Sequence, residues 1–160
     1  MAALDAKCPI QTLPGGASRQ ESVLNALEAV DSTTGGVLIH DSARPFIKKD
    51  QVLQVLDYNR KGKGAILATP STDTLKLSSN GENIEKTVPR NQIWRAQTPQ
   101  SFPYPQILEC YKEIAEKKIQ ITDDSQAFEQ QNLEVKIVSG SIYNIKVTFP
   151  EDIGLAEALL

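Results

Sequence analysis

Apolar residues recur along this chain with two periods, and their alternation marks out its elements. Val23, Ala26, Leu27 and Val30 fall at helical spacing behind Ser18-Arg19-Gln20-Glu21, a Ser-x-x-Glu capping pattern, which predicts a helix from about Ser18 to Val30. Val37-Leu38-Ile39, behind Gly35-Gly36, is a short unbroken apolar run, the pattern of a strand buried on both faces in a parallel sheet. Asp50 suits the cap of a second helix carrying Val52, Leu53 and Leu56, and Ala65-Ile66-Leu67-Ala68 reads as another buried strand ending at Pro70. Strand, helix, strand is the rhythm of a doubly wound α/β domain with a mainly parallel sheet.

The rhythm then breaks. Leu75 and Leu77 alternate with polar residues up to Asn80-Gly81, a two-residue hairpin signal, with Ile84 and Val88 on the return strand. Residues 73–88 therefore read as a β-arm outside the main sheet. Two strands alone are marginal in water, so the arm is expected to pack on a second copy of the chain. Pro105 suits the first turn of a helix with Ile107, Leu108, Tyr111 and Ala115. Thr122 or Asp123 can cap a short helix containing Ala127 and Phe128. Val135 and Ile137 alternate in a strand, and Ile145 and Val147 in the next, which places Asn144, Lys146 and Thr148 on its opposite face. Pro150-Glu151-Asp152 opens a last helix with acidic residues where the helix dipole favours them.

Composition narrows the classes of function. The 160 residues have room for one domain, 1–160, and one core; 40 % are hydrophobic and 23 % charged, as in ordinary globular proteins. A net charge of −3 argues against a general nucleic-acid binder but leaves room for a small phosphorylated ligand held by local Arg and Lys. Cys8 and Cys110 are too few for a disulfide framework, no apolar run approaches the roughly 20 residues that span a bilayer, and Met1 to Lys7 has no signal-peptide core. A soluble, untargeted, cytoplasmic protein is the expectation.

The chemistry-bearing residues stand at strand ends. His40-Asp41-Ser42-Ala43-Arg44-Pro45 follows a predicted buried strand, and ligands of open α/β sheets bind beyond the carboxyl ends of strands. A carboxylate there can hold Mg²⁺ and a guanidinium can fork onto a phosphate; equally, Asp41 and Arg44 can simply pair across a turn. His40, the only histidine, reads as a satisfied, half-buried residue before a catalytic one. Gly15-Gly16 before a capped helix lets a backbone approach a nucleotide, or is only a turn. Thr72-Asp73-Thr74 and Arg90 mark the two roots of the arm, where polar residues are ordinarily solvated. Lys146, within an apolar-alternating strand, must face water or a ligand. Thr122-Asp123-Asp124 has the look of a metal pair but suits helix capping better.

Six ordered strings carry a resemblance. Gly15-Gly16-Ala17-Ser18-Arg19-Gln20-Glu21-Ser22-Val23 is similar to the GGxxRxxSV segment of the 2-C-methyl-D-erythritol 4-phosphate cytidylyltransferases, and Val37 to Phe46 resembles their VHDAARP box, with Ser42 for the usual first Ala. Thr72-Asp73-Thr74-Leu75-Lys76 looks like their arm segment. Arg90, Ile93-Trp94 and Ala96-Gln97-Thr98-Pro99-Gln100-Ser101-Phe102 resemble RxxLWxAQTPQxF. Thr122-Asp123-Asp124-Ser125 and Asn144-Ile145-Lys146-Val147-Thr148 with Pro150-Glu151-Asp152 complete the series.

The resemblance implies a nucleotidyltransferase-type, Rossmann-like α/β fold and transfer of CMP from CTP, with Mg²⁺, to methylerythritol 4-phosphate in isoprenoid-precursor synthesis. By motif, Gly16 and Ser22 would contact the cytidine with Gly15 and Ser42 nearby, and Asp41 would lie by the metal. Arg44 and Thr74 would hold the acceptor phosphate, Arg90 would reach it across a homodimer, and Lys146 would bind phosphates of both substrates. A sister enzyme acting on ribitol 5-phosphate or another alditol phosphate shares some boxes, but Thr74-Leu75-Lys76, Trp94 and Thr122-Asp123-Asp124 favour the methylerythritol enzyme. The family's opening strand and Gly-rich loop have no counterpart before Gly15. The expectation is thus an incomplete domain of impaired activity, or a non-catalytic remnant that dimerises through its arm.

Overall fold

The computed structural model describes residues 9–160, so Cys8 and the opening Met1–Lys7 stretch lie outside it. Along the chain run helix α1 (Arg19–Glu28), strand β1 (Gly36–Ile39), helix α2 (Lys49–Asn59) and strand β2 (Gly64–Pro70). Then follow the short strands β3 (Leu75–Leu77) and β4 (Lys86–Val88), a 3₁₀ turn at Arg90–Gln92 and the long strand β5 (Trp94–Pro103). Helices α3 (Gln106–Glu116) and α4 (Ser125–Glu129), strand β6 (Val135–Ser139) and helix α5 (Glu151–Ala158) close the chain. Among the described residues no helix is long and apolar enough to cross a membrane.

The main sheet has the order β1-β5-β2-β6. Strands β1, β2 and β6 share one direction, as the apolar runs predict. Strand β5 opposes them, pairing antiparallel with β1 and β2, so the sheet is mixed and not simply parallel. Strand β5 has no apolar signature in the sequence, because Gln97, Thr98, Gln100 and Ser101 do not read as a core strand. All four are buried and bonded to neighbours. Pro99 is tolerated because the β2 register slips between Ile66 and Leu67, which pair with Gln100 and Gln97. Pro99, which has no N–H to offer, thus needs no partner in β2.

Strand β2 sorts two cores by period-2 alternation. Ala65 and Leu67 pack with Val55 of α2 and Val138, while Ile66 and Ala68 pack with Phe102, Tyr111, Ile114 and Phe128 beneath α1, α3 and α4. The buried stripe of α2 is Gln51, Val55 and Asn59, not the expected Val52, Leu53 and Leu56; Leu53 is 45 % exposed. Hydrogen bonding decides this. The buried Asn59 amide donates to Ser101 Oγ at 2.8 Å and Phe102 O at 2.7 Å, stitching α2 to β5. A Cβ at Gly36 would stand 2.1 Å from Asn59 Oδ1, so that position must be glycine. The cap residue is Lys48 rather than Asp50, which sits inside the first turn.

Other expectations are met with changed detail, and the strand expected at Ile145 and Val147 is not met. Ser18 caps α1 through Glu21 N–H at 3.1 Å, but Glu21 reaches back to Ala17 N–H and not to the cap residue itself. Strand β1 is half-buried because it pairs on one edge only, with β5. Strands β3 and β4 pair only with each other; the connection is the longer loop 78–85, organised by the Asn80 side chain, and Ile84 lies in that loop instead of the return strand. The segment 144–148 is not a strand. One backbone bond, Val147 N–H to Ala43 O at 2.9 Å, ties it to the loop after β1.

Candidate active site

The loop leaving β1 and the 144–148 segment converge on Asp41. Its carboxylate lies 3.2 Å from Lys146 Nζ, 3.6 Å from Arg19 Nε and 3.7 Å from Arg44 Nε. The Asp41 side chain is 17 % exposed, Arg44 13 % and Lys146 46 %. Burial pushes the Asp41 carboxyl up, but Lys146, Arg19 and Arg44 together outweigh it and hold the group below its ordinary value. Burial lowers Arg44, partly offset by Asp41, without removing its charge at neutral pH. Arg44 is aimed by its hydrogen bond from Nη1 to Asn144 O, 2.8 Å.

Arg19 is the member that sequence reasoning passed over, although it is the arginine of the Gly-Gly-x-x-Arg string. Its guanidinium forks onto Asp124 at 2.9 and 2.6 Å, and Asp124, fully buried, also accepts from Tyr111 Oη. That hydrogen bond and charge raise the Arg19 pKa despite burial, while burial and the Asp124 charge raise Tyr111. Asp124 therefore fixes Arg19 and does not face a metal. Asp123 performs the predicted capping, accepting from Gln126 N–H at 3.1 Å and Ser125 Oγ at 3.0 Å.

His40 is satisfied at both ring nitrogens, as expected, but exposed and not half-buried. Arg44 O can only accept, so His40 Nε2–H donates to it, and in the neutral ring Nδ1 accepts from Thr98 Oγ1–H, which itself accepts from Asp41 N–H; the imidazole is a strut for the loop. Gly16 N–H donates to Ser22 Oγ at 2.9 Å, and Ser22 donates to Ser18 O, which shapes the entrance to α1. Gly15 lies beside Ser22, where an added Cβ would stand 3.3 Å from Oγ.

Ser22, Arg19, Asp41 and Ser42 rim a cleft of about 640 Å³ whose floor is Val23, Leu27, Val37 and Ile39. Thr74 and Arg90 stay at the hairpin root, both exposed, with Arg90 Nη1 on Thr72 O at 2.7 Å. No hydrogen bond or ion pair joins them to the Asp41 cluster among the described residues.

Three cations against two carboxylates leave the cluster suited to anions, and to phosphate above all through two guanidinium groups. Its pH response follows from Asp41. The folded value lies below the ordinary 3.8, so the unfolded chain binds more protons around that pH. The stability Asp41 contributes is present above the ordinary value and is lost as pH falls through the folded one. Urea midpoints measured from pH 6 to 3 should fall, and the acid limb should flatten in Asp41→Asn; an unchanged limb would remove this role for Asp41.

The family profile described as 2-C-methyl-D-erythritol 4-phosphate cytidylyltransferase (IspD) matches residues 1–160. The curated protein of that name from Alkaliphilus oremlandii is 41 % identical over 146 residues, covering 91 % of this chain and 62 % of its own. That from Haemophilus influenzae is 41 % identical over 151 residues, covering 94 % and 67 %. Among solved structures, the 2-C-methyl-D-erythritol 4-phosphate cytidylyltransferase of Thermus thermophilus superposes with TM-score 0.85 at 37 % identity, over 92 % of this chain and 71 % of that one. The Francisella tularensis enzyme gives 0.83 at 30 %, over 91 % and 70 %. The chain spans 61 to 62 % of the length of the first three curated relatives it matches.

Proposed function

We propose that this chain, which belongs to the 2-C-methyl-D-erythritol 4-phosphate cytidylyltransferase family, contributes the acceptor side and part of the nucleotide side of a site that transfers CMP from CTP to methylerythritol 4-phosphate. The observation that carries this reading is the convergence of Arg19, Arg44 and Lys146 on Asp41 beside a cleft of about 640 Å³. A phosphate oxygen of the acceptor attacks the α-phosphorus of CTP; the bond from that phosphorus to the bridging oxygen breaks, and pyrophosphate leaves. Such a transfer is accelerated mainly by alignment and by cancelling charge. Lys146 holds phosphate oxygens of both substrates, Arg44 holds the acceptor phosphate with Thr74 reaching it from the hairpin of a second copy, and Arg19 adds charge at the nucleotide side. Gly15, Gly16, Ser22 and Ser42 border the cytidine.

Mg²⁺ is commonly held by one or two carboxylates together with substrate phosphates. Asp41, ionised at neutral pH, meets that need as a single carboxylate. No group of three His, Cys, Asp or Glu side chains could hold an ion unaided among the described residues. Bound with the nucleotide, the ion supplies further neutralisation of phosphate charge. Beside the cleft, β1 pairs with β5 alone among the described residues, and its other edge is open. A cytoplasmic setting belongs to the same reading, supported by the free, buried Cys110.

The test is pyrophosphate release from CTP and Mg²⁺ with methylerythritol 4-phosphate or ribitol 5-phosphate as acceptor. It is run on this chain and on this chain joined to the N-terminal segment of a relative. Release with methylerythritol 4-phosphate in either form supports the reading; release with neither form, or only with ribitol 5-phosphate, sinks it.

The hairpin also belongs to the proposal, as a dimerisation arm. Leu77 and Ile84, 44 % and 65 % exposed, favour a partner surface there. Arg90 then serves the site of the second copy, in keeping with its separation from the Asp41 cluster. In this chain joined to the N-terminal segment of a relative, mixing Arg90→Ala subunits with Lys146→Ala subunits should restore part of the activity lost by each alone. Mixed dimers as inactive as the parents would exclude the arrangement in trans.

A further inference from the structure

We propose that Asn144 is a positioning residue: by anchoring the segment that carries Lys146 to strand β5, it fixes Arg44 and Lys146 against Asp41. This rests on the phosphate-transfer reading above. Across residues 139–160 Asn144 alone is buried, and it is fully buried. Ile142, Tyr143 and Phe149 around it are each more than half exposed, and helix α5 buries nothing. Among the described residues, every hydrogen bond or ion pair tying 140–160 to the rest of the chain falls within 140–147. The stretch is therefore held at one point, and that point is two residues from Lys146.

The anchor begins where the chain leaves β6. Gly140 N–H donates to Ala68 O at 2.8 Å, and a Cβ at Gly140 would stand 2.4 Å from Gln97 Oε1, so the backbone passes hard against that side chain. Gln97 Nε2 donates to Ser141 O at 2.9 Å, and Gln97 Oε1 accepts from Asn144 Nδ2 at 3.3 Å. Asn144 Nδ2 also donates to Thr98 O at 2.9 Å, which uses both of its protons. Its Oδ1 is sealed without a hydrogen-bond partner among the described residues, a cost that an apolar side chain filling the same space would avoid.

Thr98 links this anchor to the chemistry. Its Oγ1 accepts from Asp41 N–H at 3.0 Å, so one residue of β5 holds the Asp41 loop by its hydroxyl and the Lys146 segment by its carbonyl. The Asn144 carbonyl accepts the only hydrogen bond of the Arg44 side chain among the described residues, 2.8 Å from Nη1. Lys146 then reaches to 3.2 Å from Asp41. Asn144 thus sets the place of both cations while making no bond to Asp41 itself. Charges held in place stabilise a transition state better than charges that must first be gathered, and a misplacement on the order of 1 Å can cost about 10²-fold in rate.

The experiment has two arms, after circular dichroism shows which variants fold. In this chain, hydrogen exchange is followed in Asn144→Ala and in Gln97→Met, which keeps a similar volume but loses both bonds to the segment. The Val147 amide should exchange at least about tenfold faster in either variant, while the amides of β2 and α3 keep their rates. An unchanged Val147 amide overturns the anchor and leaves the proposed reaction standing. In this chain joined to the N-terminal segment of a relative, Asn144→Ala should lower turnover about 10²-fold. On a Lys146→Ala background the same change should cost about tenfold or less, because only Arg44 is left to misplace. Equal losses on both backgrounds would show that Asn144 serves the fold and not the cations, and the inference would fall. Gln97→Met takes the place of Asn144→Ala throughout if that variant does not fold; a chain unfolded by both changes also overturns the inference. An unsubstituted joined chain that releases no pyrophosphate overturns the reaction reading and this inference with it.

Discussion

In this chain joined to the N-terminal segment of a relative, Lys146→Ala is expected to lower turnover by about 10²–10³-fold, the scale of removing one preorganised charged donor from a transition state. The ammonium stands 3.2 Å from Asp41 Oδ2 on a segment that a single backbone bond ties to the β1 loop. It is 46 % exposed, so its loss opens no cavity and should change the unfolding midpoint little, in keeping with the small worth of exposed ion pairs. A large fall in turnover without loss of stability is what separates a phosphate ligand from a surface lysine. Near-unchanged turnover would return Lys146 to the surface and take with it the claim that the Asp41 cluster is where phosphate binds.

The second large effect is on stability and comes from a residue that performs no chemistry. Asp124 is fully buried, receives the Arg19 fork and accepts from the buried Tyr111 hydroxyl. Asp124→Ala would strand both donors at once. The change should destabilise the chain by about 3 kcal/mol, below the upper range for a broken buried pair because Arg19 is 39 % exposed. Urea unfolding should show a lower midpoint at an unchanged slope. Asp124→Asn keeps the volume and an acceptor for Tyr111, and should recover part of the loss. A midpoint within error of the parent in Asp124→Ala would mean that the pair is indifferent to folding. Because Arg19 is shared with Asp41, a folded Asp124→Asn enzyme should also lose activity, more so at high salt, where the remaining attraction of Arg19 to Asp41 is screened.

What the sequence by itself determined about this protein is whatever depends on neighbours a few residues apart. The helical spacing of Val23, Ala26 and Leu27 behind the Ser18 cap, the apolar runs of β1 and β2, and the separate pairing of the hairpin all stand in the structure. So does the placement of Asp41 and Arg44 just past a strand end, since a motif of four residues carries its own geometry. The ordered strings were legible for the same reason, each being a local pattern.

The tertiary structure decided the rest, because partners distant in the chain set those features. Strand β5 exists because the buried Gln100, Ser101 and Thr98 find bonds to Asp123, Ser125, Val37, Asp41 and His40; a polar strand can be central only when others satisfy it. The buried face of α2 is chosen by one amide at Asn59, against the apolar count of the helix. Arg19 meets Asp124 across 105 residues of chain, and Lys146 reaches Asp41 from a segment whose apolar alternation imitates a strand. Thr69 and Arg95 become neighbours only through the pairing of β2 with β5. Satisfying buried polar groups is a property of the whole fold, and no window of sequence can carry it.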